Sequence, residues 1–332
     1  MMLTEARPAA ALSPPDSPKA SNLHLWHITP STWAPRCHSL VDEVSREVDE
    51  YFLSRWNWPS ERSKKVFVAA GFSRVTCLYF PLANNDRIAL ACKLLAVLFL
   101  VDDELEEMNL DEGKVYNDSL IATSKGEIPV DPSKPAQTIL QDIWNAMRAH
   151  DIELANSVLE PTFTFMRAQT DRERLNMTGL GNYFKYRERD VGKALLSALM
   201  RFTMGLRLSP LQQKLVQSLE ENCSRHISIV NDIYSFEKEL KASLTMNEEG
   251  AVLCTAVKLL SDEAGMDVEA AKRVLWSMVR EWEKIHDRLA EEACNVEDGA
   301  EVLHSYVKGL EFQMSGNELW SKTTPRYHHV DM

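Results

Sequence analysis

An all-α, single-domain helical bundle is the architecture this sequence predicts, and three observations predict it. Apolar residues recur at helical spacing through most of the body. Turn signals of the hairpin type are few, and the 332 residues include just 12 Gly and 14 Pro, with many of the prolines placed before residue 36. Hydrophobic residues make up 45% of the chain, enough to fill a large core. The formal charge of −12 argues against a nucleic-acid partner. Six scattered cysteines with no CxxC spacing read as reduced core thiols. Neither a secretory leader nor a membrane-spanning run is apparent, so a cytoplasmic location and no membrane association are expected.

Taken in order, residues 1–34 are rich in Pro, Ala and Ser and predict a mobile arm, its far end pinned by Trp26 and Trp33. His24, His27, Cys37 and His38 lack metal-ligand spacing, so no zinc is expected there. Residues 37–56 carry apolar side chains on one face, from Leu40 to Phe52, and predict an amphipathic surface helix. Pro59 reads as the first residue of a helix to about Phe80. Asn85 or Asp86 then caps a helix whose residues 88–101 (IALACKLLAVLFLV) are apolar almost all round, which places it at the centre of the core. Residues 109–136 predict a short helical piece and the longest irregular stretch, positioned to act as a lid. Helix resumes from Ala136 to about Ala168 with a break at Pro161. Further helices are expected over 210–242, 247–263, 266–294 and 298–314, with Val274, Trp276, Val279, Trp282 and Ile285 as a core stripe.

The central apolar run ends in Asp102-Asp103-Glu104-Leu105-Glu106-Glu107. Carboxylates at a helix C-terminus repel one another and the macrodipole, a cost that a bound cation offsets. Asp102 and Glu106, four apart, share a face, with Asp103 about 100° round. Hard oxygen ligands of this kind suit Mg²⁺ better than zinc, although a solvated helix end would read the same way. A second cluster lies far along the chain in Asn231-Asp232-Ile233-Tyr234-Ser235-Phe236-Glu237-Lys238-Glu239. Asn231, Ser235 and Glu239 stack an amide oxygen, a hydroxyl and a carboxylate along one helical stripe, with Lys238 beside them to meet a phosphate.

The pair DDxxE and NDxxSxxxE resembles the two metal motifs of class I terpene synthases, and the resemblance covers roughly residues 35–328, leaving 329–332 as a tail. In that family an arginine upstream of the second motif senses diphosphate and is followed by an acid and a helix break. Arg187, Asp190 and the Val191-Gly192 step match this pattern, ahead of Arg189 as the competing arginine. An Arg-Tyr pair near the C-terminus, preceded by a pocket tryptophan, is matched by Arg326, Tyr327 and Trp320. The resemblance implies a class I terpene synthase bundle around a cavity, with three Mg²⁺ ions (Mn²⁺ as a substitute) held by Asp102, Asp103, Glu106, Asn231, Ser235 and Glu239. Arg187, Lys238, Arg326 and Tyr327 would bind the diphosphate of an isoprenoid substrate. Phe99 and Trp320, then Phe72, Phe80 and Phe165, are the expected cation-stabilising aromatics.

A compact chain of this kind resembles the microbial, especially fungal, sesquiterpene cyclases. Farnesyl diphosphate is therefore the expected substrate, geranylgeranyl diphosphate the alternative, and a homodimer the expected assembly. A chain-elongating prenyl transferase would carry a second DDxxD, and a class II cyclase a DxDD, where this sequence has neither. A non-catalytic isoprenoid-binding protein would be expected to have lost ligands.

Overall fold

The computed structural model describes residues 29–246, 248–295 and 299–328, all helix and connection with no strand among them. The helices are α1 (Val41–Arg55), α2 (Glu61–Ala70), α3 (Phe72–Tyr79), α4 (Ile88–Leu105), α5 (Leu110–Lys125), α6 (Pro135–His150) and α7 (Ile152–Gln169). They are followed by α8 (Leu180–Asp190), α9 (Lys193–Met204), α10 (Pro210–Thr245), α11 (Ala256–Ala264), α12 (Val268–Cys294) and α13 (Ala300–Thr323). None of the described helices is long and apolar enough to cross a membrane.

Helix α4 is the hub, as its composition predicts. Twelve of its 18 residues are buried, and its one basic residue, Lys93, reaches out to pair with Glu47 at 2.6 Å. Around it pack α1, α3, α6 and α9, while α10 lies against α12 and α13, and α13 closes back on α3. That last contact is close. A Cβ on Gly316 would sit 2.7 Å from the Leu78 carbonyl oxygen, so the two helix backbones meet where only glycine fits.

Several boundaries differ from the sequence expectation. Pro59 does not open α2; Ser60 does, through a capping box with Ser63, and Gly71 at φ 66° divides the expected 59–80 helix into α2 and α3. Neither Asn85 nor Asp86 caps α4; Arg87 is its N-cap, and the Asn84 carbonyl takes the Arg87 and Ile88 N–H groups at 3.0 and 3.2 Å. Of the stretch expected over 109–136, residues 110–125 form α5, nucleated by an Asn109–Glu112 capping box, and the irregular part is confined to 126–134. The break expected at Pro161 falls instead at Asp151, whose carboxylate caps α7 at Leu154 N (3.1 Å), and Pro161 lies inside α7. Helix α11 begins at Ala256 behind a Thr255 cap rather than near 247, and residue 247 lies outside the described residues. Val274 is exposed, unlike Trp276, Val279 and Trp282. Asp298 is outside the described residues; Gly299 is the N-cap of α13, which runs beyond Met314 to Thr323.

Of the N-terminal arm, residues 1–28 lie outside the described residues, among them Trp26, His24 and His27. Trp33 donates from Nε1 to Asp287 at 3.2 Å and sets its ring edge-on to His286, 5.3 Å between centroids. His38 spends both ring nitrogens on structure, with Nε2 3.0 Å from the Ala83 carbonyl and Nδ1 accepting from Leu40 N.

His286 is 1% exposed, and burial together with the nearby His226 pushes its pKa down from 6.5 to about 4. The unfolded chain takes up this proton at higher pH than the folded one, so the group's contribution is complete above pH 6.5 and is lost as pH falls towards 4. Denaturant midpoints measured across that window should fall more steeply for the wild type than for H286Q. Parallel profiles would rule this assignment out.

Candidate active site

The C-terminal halves of α4 and α10 face one cavity, closed by α7, α8, α9, α13, the C-terminal turn and residues 250–254. Its depth is apolar, with Leu95, Leu98, Phe99, Leu195, Leu196, Ile227 and Trp320, and its mouth carries the charged groups.

On the α4 wall, Asp102, Asp103 and Glu106 each offer an oxygen within 4.8 Å of the others. Crowding shows in their acidity. Asp102 is pushed up to about 6, first by burial and then by Glu106 and Asp103, and its Oδ1 accepts from Gln169 Nε2 at 2.9 Å. Burial works against ionisation of Asp103 too, but Arg326 donates to both of its oxygens, at 3.1 and 2.6 Å, and holds it below the ordinary value. Glu106 pairs with Lys238 at 2.7 Å. The neighbouring acids are directed elsewhere: Glu104 accepts from Tyr116 at 2.5 Å and Glu107 is exposed.

On the α10 wall, Asn231, Ser235, Lys238 and Glu239 all line the cavity. Asn231 Oδ1 accepts from Arg187 at 2.7 Å and its Nδ2 donates to Tyr327 at 2.7 Å. Ser235 Oγ is buried with no hydrogen-bond partner among the described residues. Arg187 turns inward, bonded to Asp190 and, at 3.3 Å, to Asp232. Burial disfavours its charge, but Tyr183, Asp190 and Asp232 hold its pKa well above the ordinary value. Arg189 faces outward to Asp171 and Glu173, so it is not part of this cluster. Val191 and Gly192 end α8, with Gly192 at φ 72°, and a Cβ there would lie 3.1 Å from the Phe165 ring.

Trp320 Nε1 and Thr324 Oγ1 both donate to the Ala70 carbonyl at 3.0 Å, which brings Arg326 over the rings of Phe72 and Phe99, 5.3 and 5.8 Å from their centroids. Phe99, Phe165 and Trp320 line the cavity. Phe72 stacks behind Phe99 at 4.4 Å and Phe80 is core packing against Tyr79, so neither is among the lining residues.

Sequence reasoning passed over Tyr79, Gln169, Arg174, Tyr186, Asn317, Gly250, Ala251, Val252 and Cys254, all of which line the cavity. It also left Asp232 without a role. This acid is fully buried and raised to about 7, by burial against the pull of Arg187. It joins three elements by accepting from Tyr183 on α8 and from Ala256 N, at 2.8 Å, at the start of α11. One signal was available, since an acid next to Asn231 on an apolar-periodic helix must point about 100° away from the ligand stripe, into packed structure.

Comparison with known proteins agrees with this geometry. The profile "Terpene synthase family 2, C-terminal metal binding" matches residues 93–284. The aristolochene synthase of Aspergillus terreus is 58% identical over 303 residues, covering 91% of this chain and 94% of that protein. This chain belongs to the terpene synthase family. The aristolochene synthase of Penicillium roqueforti is 57% identical over 300 residues, covering 90% of this chain and 88% of that protein. Its crystal structure superposes with a TM-score of 0.79 at 55% identity, over 90% of this chain and 99% of that one. Cucumene synthase, 18% identical with a TM-score of 0.72, covers 90% of this chain and 100% of that one and shares the fold. With these relatives the chain is a class I terpene synthase, a lyase, and the acid cluster on α4 is compatible with a divalent metal.

The segment carrying residues 250–254 rests directly on the end of the acid helix, where Gly250 N donates to the Met108 carbonyl at 3.1 Å. A Cβ at Gly250 would collide with the Leu105 and Met108 carbonyls, whereas one on Gly181 in α8 meets nothing within 4 Å. G250A should therefore lose about 1–3 kcal/mol in urea unfolding, while G181A should be neutral or stabilising. Equal stability of the two variants would show that this contact is not tight.

Proposed function

We propose that this protein ionises farnesyl diphosphate and cyclises it to a sesquiterpene, with Mg²⁺ held between α4 and α10. What carries the reading is the juxtaposition, around one apolar cavity, of two oxygen-only donor sets and a ring of diphosphate-binding groups. Asp102, Asp103 and Glu106 on one side and Asn231, Ser235 and Glu239 on the other fit a hard cation. The unpartnered Ser235 Oγ is an acceptor waiting for such a ligand. Three Mg²⁺ ions are the proposed complement, with Mn²⁺ able to substitute, and when bound they supply positive charge beside the departing diphosphate.

The chain's own groups account for the rest. As the allylic C–O bond breaks, its electron pair passes to a diphosphate oxygen, and Arg187, Lys238, Arg326 and Tyr327 are the donors able to stabilise that charge. To do so Lys238 and Arg326 must exchange Glu106 and Asp103 for the substrate, which leaves those carboxylates free to bind metal. The rings of Phe99, Trp320 and Phe165 face the carbocation and exclude water from it. Since relatives at 58% and 57% identity are named aristolochene synthases, aristolochene is the proposed product.

Purified protein incubated with geranyl, farnesyl and geranylgeranyl diphosphates, with and without Mg²⁺, should yield a cyclic fifteen-carbon product from farnesyl diphosphate alone and only with the metal. D102A and N231A should each reduce turnover at least about a hundredfold. Longer linear diphosphates formed with added isopentenyl diphosphate would instead establish a prenyl transferase. Binding of diphosphate without turnover would establish a binding protein.

A further inference from the structure

Four basic side chains line the cavity, and three of them are already neutralised. Arg187 is paired with Asp190 and Asp232, Lys238 with Glu106, and Arg326 with Asp103. The fourth, Arg174, stands in the short 3₁₀ turn Arg172–Asn176 after α7 and belongs to neither metal motif nor to the Arg-Tyr pair. Among the described residues no carboxylate lies within 4.0 Å of it. Its one hydrogen bond there runs from Nη1 to the Gln169 carbonyl at 2.8 Å, and its Nε is buried without a partner.

Burial works against the charge of this guanidinium, and Asp190 and Asp102 raise its pKa only from beyond ion-pair distance, while its buried Nε stays unpaired. A cation held this way is incompletely compensated, and such groups persist where a further partner completes their bonding. We propose that Arg174 is a fourth diphosphate-binding cation of the substrate site, and the one that engages the diphosphate first. The inference rests on the functional reading above. Arg187, Lys238 and Arg326 must release carboxylates before they can reach the substrate, whereas Arg174 has none to release.

Its surroundings keep it in place for that task. The turn is staked on one side by Arg172 to Asp111 at 2.8 Å and to Glu249 at 3.8 Å, and on the other by Arg189 to Glu173 at 3.0 Å. Arg174 also holds the carbonyl of Gln169, whose side-chain amide donates to Asp102. The anion site and the acid motif are therefore joined through a single residue.

The test is titration of the full chain with inorganic diphosphate in excess Mg²⁺, alongside steady-state kinetics on farnesyl diphosphate. R174Q should bind diphosphate about tenfold or more weakly, as expected for loss of a charge-assisted hydrogen bond, and should raise KM more than it lowers kcat. R174K keeps the charge but not the planar pair of donors; it should fall between the two and is the readout should R174Q fail to fold. A residue that merely caps α7 would instead lower the melting temperature while leaving diphosphate affinity at the wild-type value, and that result overturns the proposal. A wild-type protein that binds no diphosphate would overturn the functional reading and this inference with it.

Discussion

The site depends on one electrostatic constraint: more carboxylates converge on the mouth of the cavity than can share it without compensation. Asp102 shows the strain most plainly, raised by burial and by Glu106 and Asp103. The protein answers with its own cations, Arg326 on Asp103 and Lys238 on Glu106. These ion pairs connect the tail and α10 to the end of α4. They are also provisional, because a metal and a diphosphate would satisfy the same two sets of groups better than they satisfy each other. Each pair would then exchange its partners for others of the same sign, the carboxylate taking the metal and the cation the diphosphate.

Asp232 extends the constraint to the surrounding helices. It touches Arg187 and Tyr183 of α8 and the first turn of α11, so the residue next to Asn231 knits together the elements that line one side of the cavity. Asp190 does the same within α8, accepting from Arg187 and, at 3.0 Å, from Tyr186. Gly192 then supplies a left-handed break at which α8 can tilt relative to α9. A change in what Arg187 holds is therefore felt by two helices, through contacts present in the structure.

Much of this was legible in the sequence because it is periodic. The uniform apolarity of α4 identified the central helix, and the spacing of Asn231, Ser235 and Glu239 placed three oxygens on one stripe. The choice of Arg187 over Arg189 agrees with the side each faces. What escaped was set partly by tertiary contact and, at Asn109, by a local capping box with Glu112 that sequence reasoning passed over. Pro161 is accommodated inside a helix, Asn109 turns a polar stretch into α5, and Phe80 is packed in the core rather than against the cavity. Arg174 and Gln169 reach the site from the end of α7, through a turn that carries no pattern a single sequence can reveal.

The anchoring of the C-terminal turn has a consequence for biosynthesis. Trp320 and Thr324 share the carbonyl of Ala70, some 250 positions earlier, and Gly316 lies against Leu78. Until α13 and the turn after it emerge from the ribosome, Asp103 has no guanidinium opposite it, and α3 lacks a neighbour along one side. The nascent chain carries Asp103 without Arg326 through most of its own translation, with Lys238 of α10 the earlier cation at this helix end, and contacts so distant in sequence form late and slowly. Arg326, made long after Asp103, thus adds its charge to the site only after Lys238 has added its own.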